Sequence, residues 1–272
     1  RECLDSLIQQ YHQNWHAVVV DDGSDDPEVT DILEDYAARD SRFSIFRQLN
    51  HGIARASNVA INSSHEPWIC FLDQDDRLYP EALAVFAQSI RTNPELEVLY
   101  SDEEKITQAG DLHSPMLKPG WSPRFLQGTM YCGHLLCLNR AILPRTGLLD
   151  PEFDGIQDFE FTLRLAETKP EVHHVPAVLY QWRMGERSSA TEGNIKGDMD
   201  TLQVKAVERH LGRLEQPGKI VSRGRHRIVI DLPENFTPLE YTEVIIGNAP
   251  LAAPDSVSQS LVVIRDLKQP KC

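Results

Sequence analysis

Apolar positions fall in short runs parted by polar, turn-forming stretches, and the period within each run separates helix from strand. Leu4, Leu7, Ile8 and Tyr11 recur at helical spacing, which predicts an amphipathic helix over residues 3–12. Ala17-Val18-Val19-Val20 reads as a strand that stops at Asp21-Asp22-Gly23-Ser24. Residues 28–38 read as a helix entered through Asp26-Pro27, and Phe43-Ser44-Ile45-Phe46 is the next strand. Another helix follows Asn50-His51-Gly52. The run Trp68-Ile69-Cys70-Phe71-Leu72 predicts a buried parallel strand, with a helix over 80–91 behind it. Glu97-Val98-Leu99-Tyr100 is a further strand, ending in Ser101-Asp102-Glu103-Glu104. Such alternation predicts an α/β fold: a mostly parallel central sheet flanked by helices.

Beyond these units, Phe159, Phe161, Leu163, Leu165 and Ala166 mark a helix that opens at Asp158. Ala177-Val178-Leu179-Tyr180 is a strand, and residues 199–214 form the last helix. Gln216-Pro217-Gly218 then sets a boundary. The strand-like runs at 227–230, 244–246 and 261–264 form a strand-rich C-terminal extension. The expected division is residues 1–215 and 216–272.

Composition narrows the class. The 272 residues are 41% hydrophobic and 25% charged, as in a globular domain, with no stretch of bilayer-spanning length and no signal-peptide pattern at the start. A net charge of −14 excludes a broad nucleic-acid surface but not a small anionic ligand met by local counter-charge. The five cysteines form no Cys-x-x-Cys pair, which points to a reducing, cytoplasmic setting, and Cys70 reads as a small hydrophobe inside its strand. The chain opens without Met and runs at once into helical sequence, so a preceding segment is expected.

The polar tips carry the chemistry. Asp73 and Asp75 are two apart, so in extended backbone they leave the same side and can share one cation. The plainer reading is an Asx-turn before the helix at Tyr79-Pro80-Glu81. Asp21, Asp22 and Ser24 can accept from a base or ribose, or form only a turn. Arg55 and Asn58, three apart on a helix, can hold a diphosphate or lie on a solvated face. Asp158 in a first helical turn is favoured by the backbone dipole alone.

Together, Asp21-Asp22-Gly23-Ser24, Asn50-x-Gly52 with Ala56 and Asn58, and Phe71-Leu72-Asp73-x-Asp75-Asp76 resemble the nucleotide-sugar half of a family 2 glycosyltransferase of the GT-A fold. Lys118-Pro119-Gly120-Trp121-Ser122-Pro123, Tyr131-Cys132-Gly133-His134, Gly155-Ile156-Gln157-Asp158-Phe159-Glu160 and Leu179-Tyr180-Gln181-Trp182-Arg183 resemble the subset that builds bacterial surface polysaccharides such as O-antigen. The resemblance covers residues 1 to 214. It implies a donor half over about 1–104 and an acceptor half over about 105–215, and it implies that the family's first strand lies before Arg1. It assigns the general base to Asp158 and a Mg²⁺ or Mn²⁺ site to Asp73 and Asp75. Donor contacts fall to Asp21, Asp22, Ser24, Arg55, Asn58, Asp73, Trp182 and Arg183. Tyr131 and His134 are expected on the acceptor side, and the polar loop 184–190 is expected to act as a lid. The implied reaction moves a hexosyl or deoxyhexosyl group from a nucleoside-diphosphate sugar to a glycan or lipid-linked glycan hydroxyl, with inversion and peripheral membrane association. A nucleotide-holding module without turnover, and a sugar nucleotidyltransferase, stand as alternatives.

Overall fold

The computed structural model describes residues 1–184, 199–222, 228–231, 242–245 and 262–265. The lid expected over 184–190 lies outside them apart from Met184. In chain order the first elements are α1 (Glu2–Ile8), β1 (Ala17–Asp21), α2 (Pro27–Arg39), β2 (Phe43–Arg47), α3 (Ile53–Ser63), β3 (Trp68–Cys70), β4 (Arg77–Leu78) and α4 (Ala82–Thr92). Then come β5 (Val98–Ile106), β6 (Leu112–Met116), α5 (Pro123–Leu126), β7 (Leu136–Asn139), α6 (Leu143–Thr146), α7 (Gln157–Glu167), β8 (Val172–Arg183) and α8 (Met199–Arg213). Four short strands follow: β9 (Lys219–Ser222), β10 (Ile228–Asp231), β11 (Thr242–Ile245) and β12 (Val262–Arg265).

Local chemistry accounts for the helix starts. The Asp26 side chain accepts from Glu28 N–H at 2.9 Å with Pro27 in the first turn, so α2 begins with one orphan amide satisfied and no amide lost to proline. The start of α3 is capped from far away. Asp154 accepts from the Ala54 amide at 2.9 Å, and a Cβ on Gly52 would sit 1.8 Å from its carboxylate. Gly52 also has φ +93°, so only glycine fits there. α1 stops at Ile8, short of residue 12, because Gln10 turns its amide to Ser6 and Tyr79 carbonyls and its oxygen to the Leu83 amide.

The expected parallel pairing holds for β1–β2 and β5–β8, whereas β3–β7, β7–β5, β5–β6 and β4–β8 run antiparallel. β1 and β2 form their own two-stranded sheet, and the main sheet has the order β3-β7-β5-β8-β4 with β6 on β5. β3 is therefore an antiparallel edge strand, not a buried parallel one. Its residues are half-buried or exposed, and Cys70 is exposed.

The core lies on both faces of the main sheet. α7 and α8 bring Phe159, Phe161, Leu163, Val207 and Leu211 to one face, against Val98, Tyr100 and Leu138. α4 brings Ala82 and Phe86 to the other, against Leu99, Leu179 and Tyr180. Each large side chain so removed from water contributes about 1.5–3 kcal/mol, which fixes α7, and hence its first turn, on the sheet. Leu4, Leu33, Tyr36 and Phe43 form a separate small cluster under β1 and β2.

β5 does not end at Tyr100. It continues through Ser101, Asp102, Glu103 and Glu104, all buried, because each carboxylate has a partner. Asp102 meets His174 at 2.8 Å, Glu103 meets Lys118 at 2.9 Å, and Glu104 accepts from Tyr79 and Gln181.

The first compact unit runs Arg1–Asp231 and the second Leu232–Cys272. The antiparallel pair β9–β10 thus sides with the first unit: Ile220 and Ile230 pack on its core, and the Ile228 amide donates to the Gly128 carbonyl at 3.0 Å. In the second unit β11 and β12 pair in parallel. No helix among the described residues is long and apolar enough to cross a membrane.

Candidate active site

β3 delivers the chain to the loop Asp73-Gln74-Asp75-Asp76, which turns back into β4. The turn closes with the Asp76 amide donating to the Asp73 carbonyl at 3.2 Å. Asp73, Gln74 and Asp75 are exposed, whereas Asp76 is buried. Asp76 anchors the loop. One oxygen accepts from the Arg183 amide at 2.7 Å, the other from the Tyr180 hydroxyl at 2.5 Å, and that hydroxyl in turn accepts from the Asp73 amide at 3.2 Å. Burial raises the Asp76 carboxyl to about 6 against the pull of these donors.

Arg183 holds the same loop from below. Its guanidinium donates to the Asp75 carbonyl at 2.7 Å, to the Thr107 and Gln108 carbonyls at 3.1 and 3.0 Å, and to Glu2. Expected among the donor contacts, Arg183 is buried here and committed to three backbone carbonyls and Glu2, since five donors in a fork suit a cluster of acceptors. Trp182 beside it is half-buried, with Lys105 Nζ 5.1 Å above its ring.

His134, expected on the acceptor side, joins this loop. Its ring stacks on Tyr180 at 4.8 Å, Nε2 lies 3.7 Å from Asp73 and Nδ1 lies 3.2 Å from Glu103. Burial opposes its charge, but Asp73 and Glu103 outweigh that and raise it to about 10. Behind it, burial disfavours the Glu103 anion, yet His134 and Lys118 hold that carboxyl down to about 2. Lys118, Glu103, His134 and Asp73 therefore alternate in sign from the sheet interior to the exposed loop.

Asp158 reaches the same place from α7, in whose first turn it lies. Asp158 is exposed, and crowding by neighbouring protein atoms, then the charge of Asp73, raise its carboxyl against the Phe159 amide and His134. The charges of Asp73 and His134 act on Asp158, so the first turn of α7 lies near the loop after β3 and near His134. Tyr131 lies apart, buried, accepting from the Ser122 amide at 2.7 Å and packed edge-on to Tyr100.

Several expected donor contacts are committed to the fold. Asp21 accepts from the Ser24 amide at 2.9 Å, and Asp22 from Gln48, His51 N–H and Gly52 N–H at 2.7, 2.9 and 2.8 Å. Burial raises the Asp22 carboxyl less than these three donors lower it. Asn58 makes a two-way pair with the Leu149 backbone, at 2.8 and 3.0 Å. Ser24 and Arg55 remain exposed. The sequence reading singles out none of Asp76, Tyr180, Glu103 and Lys118 as site residues, although Asp76, Tyr180 and Lys118 lie inside the motifs that carry the resemblance.

Ligand atoms of Asp73, Asp76 and His134 lie within 4.8 Å of one another. As a cation set this trio is compromised at Asp76, which uses both oxygens on protein donors. Asp73 and Asp75 are the exposed carboxylates of this loop, and as hard oxygen ligands they suit a divalent ion such as Mg²⁺ or Mn²⁺.

Known proteins resemble the chain in sequence and in fold. A family model described as Glycosyl transferase family 2 matches residues 1–142. The O-antigen biosynthesis protein RfbC of Myxococcus xanthus is 33% identical over 239 residues, 88% of this chain and 19% of that protein. The chain thus spans about a fifth of that curated relative's length. The crystal structure of S. aureus TarS 1-349 in complex with UDP-GlcNAc superposes with TM-score 0.63 at 19% identity, covering 77% of this chain and 62% of that one. Mannosyltransferase PcManGT from Pyrobaculum calidifontis, in complex with GDP-Man and Mn²⁺, gives 0.57 at 16% identity, covering 80% and 60%. The fold is of the GT-A type, and the chain belongs to glycosyl transferase family 2.

Proposed function

We propose that this domain transfers a hexosyl or deoxyhexosyl group from a nucleoside-diphosphate sugar to a hydroxyl of a growing surface glycan, with inversion. What supports the reading is that Asp73, exposed with Asp75 on the loop after β3, and Asp158 at the start of α7 lie near enough for the charge of one to act on the other. Asp73 and Asp75 would hold a Mg²⁺ or Mn²⁺ ion, which when bound neutralises charge developing on the departing diphosphate. Asp158 takes the proton from the acceptor hydroxyl as its oxygen attacks the anomeric carbon from the side opposite the leaving group. Its upward shift suits that role, since a base closer to neutrality accepts a proton more readily. Arg183, Asp76 and Tyr180 hold the loop in place, and His134 balances Asp73 when no other cation does.

The donor class draws further support from the neighbours' complexes with UDP-GlcNAc and GDP-Man, and the glycan acceptor from the O-antigen relative. With a lipid-linked acceptor, attachment to the inner face of the membrane would be peripheral.

The rival is a nucleotide-holding module without turnover; Asp21, Asp22, Asn58 and Arg183, committed to protein partners, leave both readings to bind donor through the exposed residues. Calorimetry with UDP, GDP and dTDP, with and without Mn²⁺, together with an assay for donor consumption, separates the two. Metal-dependent binding with turnover supports the transferase. The same binding without turnover supports the module, and absence of binding sinks both.

A further inference from the structure

The strand that feeds the Asp73 loop carries a pair of thiols that the transferase reading does not use. In the register of β3 against β7, Cys70 stands directly opposite Cys137. The Phe71 amide donates to the Leu136 carbonyl at 3.3 Å, so 71–136 is a hydrogen-bonded pair and, by alternation, 70–137 is a non-hydrogen-bonded one. The backbone of Cys137 faces Leu99 of β5 instead. At a non-hydrogen-bonded pair the Cα atoms are about 4.5 Å apart and the side chains lie closest together. That separation falls inside the window of about 4.4–6.8 Å in which a disulfide closes without backbone movement. Cys137 is buried and Cys70 exposed, so one thiol meets reagents and the other waits behind it. Cys3 and Cys132, the other free cysteines among the described residues, are both buried.

We propose that Cys70 and Cys137 form a thiol–disulfide exchange site, in which Cys70 reacts with a low-molecular-weight disulfide and Cys137 resolves the adduct to a cross-strand disulfide. In the first step the Cys70 thiolate attacks one sulfur of the reagent, its S–S bond breaks, and one thiolate leaves and is protonated. In the second, the Cys137 sulfur attacks the Cys70 sulfur, the mixed disulfide breaks, and the second reagent thiol departs with the Cys137 proton. Two protein thiols are oxidised and one small disulfide is reduced to two thiols. Burial pushes the Cys137 thiol up, so its thiolate is scarce and the second step is the slower. The product ties β3 to β7 three residues before Asp73, at the root of the loop that carries the exposed carboxylates.

The test is to incubate the folded 272-residue chain with oxidised glutathione, quench by alkylation, and map the products by mass. The wild type should lose two hydrogens and yield a peptide joining Cys70 to Cys137. Cys137→Ser should stop at a stable single glutathione on Cys70, and Cys70→Ser should leave Cys137 unmodified. In denaturant, where the strands no longer face each other, mixed links and adducts should replace the single product. A stable glutathione adduct on wild-type Cys70 with no cross-link would overturn the proposal. So would a preferred link to any other cysteine, or the same product pattern in the folded and denatured chain.

Discussion

The two strand tips of the donor half begin with similar material and use it differently. At the end of β1, Asp21 and Asp22 turn their carboxylates inward, onto Ser24, Gln48, His51 and Gly52. At the end of β3, only Asp76 is turned inward, onto Tyr180 and Arg183, and it leaves Asp73 and Asp75 in the open. A carboxylate satisfied by three amide donors is a building part, and one held out by a buried neighbour is free for a ligand. Substitutions at the first tip should therefore cost stability, and those at the second should cost binding.

The largest expected effect lies at the second tip. Asp75→Ala should abolish the Mn²⁺-dependent part of nucleotide binding in calorimetry, because a hard cation loses a charged oxygen ligand, while melting temperature stays near the parent's. Metal-dependent affinity left intact would remove Asp75 from the site. Next comes the buried network behind it. Glu103→Ala strands Lys118 in the sheet interior and should destabilise by about 3–5 kcal/mol in denaturant unfolding. The pH sign follows from a folded-state carboxyl near 2 against an ordinary 4.5. Glu103 contributes fully above 4.5, and that contribution fades as pH falls toward 2, so the gap between parent and variant should narrow in acid. A constant gap would mean that Glu103 is not ionised in the fold.

At the first tip, Asp22→Ala leaves the His51 and Gly52 amides without their acceptor and should cost about 1–3 kcal/mol, with nucleotide affinity retained in the folded fraction. Loss of affinity without loss of stability would return Asp22 to the donor site. The smallest effect belongs to Asp154→Ala, which removes the cap on α3 and should cost about 0.5–2 kcal/mol by thermal unfolding.

What could be read from the chain follows the same division. Carboxylates at strand tips, the helix opening at Asp158 and the pattern of Asp73 and Asp75 are local features, carried by spacings of two to four residues. The partners that decide their use are not local. Asp154 caps a helix 100 residues earlier, and Tyr180 and Arg183 meet Asp76 across 104 and 107 residues. His134 and Lys118 reach Glu103 only because β5 continues past its apolar run into paired acidic residues. No periodicity announces a buried acidic strand, since its partners are set by tertiary packing. The family resemblance implies donor contacts for Arg183 and Asn58, whereas packing turns both onto backbone groups.

Donor binding and proton removal are assigned to different carboxylates, Asp73 and Asp75 on the loop after β3 and Asp158 at the start of α7. The direct test is Asp158→Asn, with donor affinity measured by calorimetry and sugar transfer by single-turnover assay. The account predicts unchanged metal-dependent donor affinity and transfer slowed about 10²–10⁴-fold, the range for loss of a positioned base. Transfer at the parent's rate would make Asp158 only a helix-terminal carboxylate, and an equal loss of donor affinity would put it in the donor site; either result contradicts the mechanism.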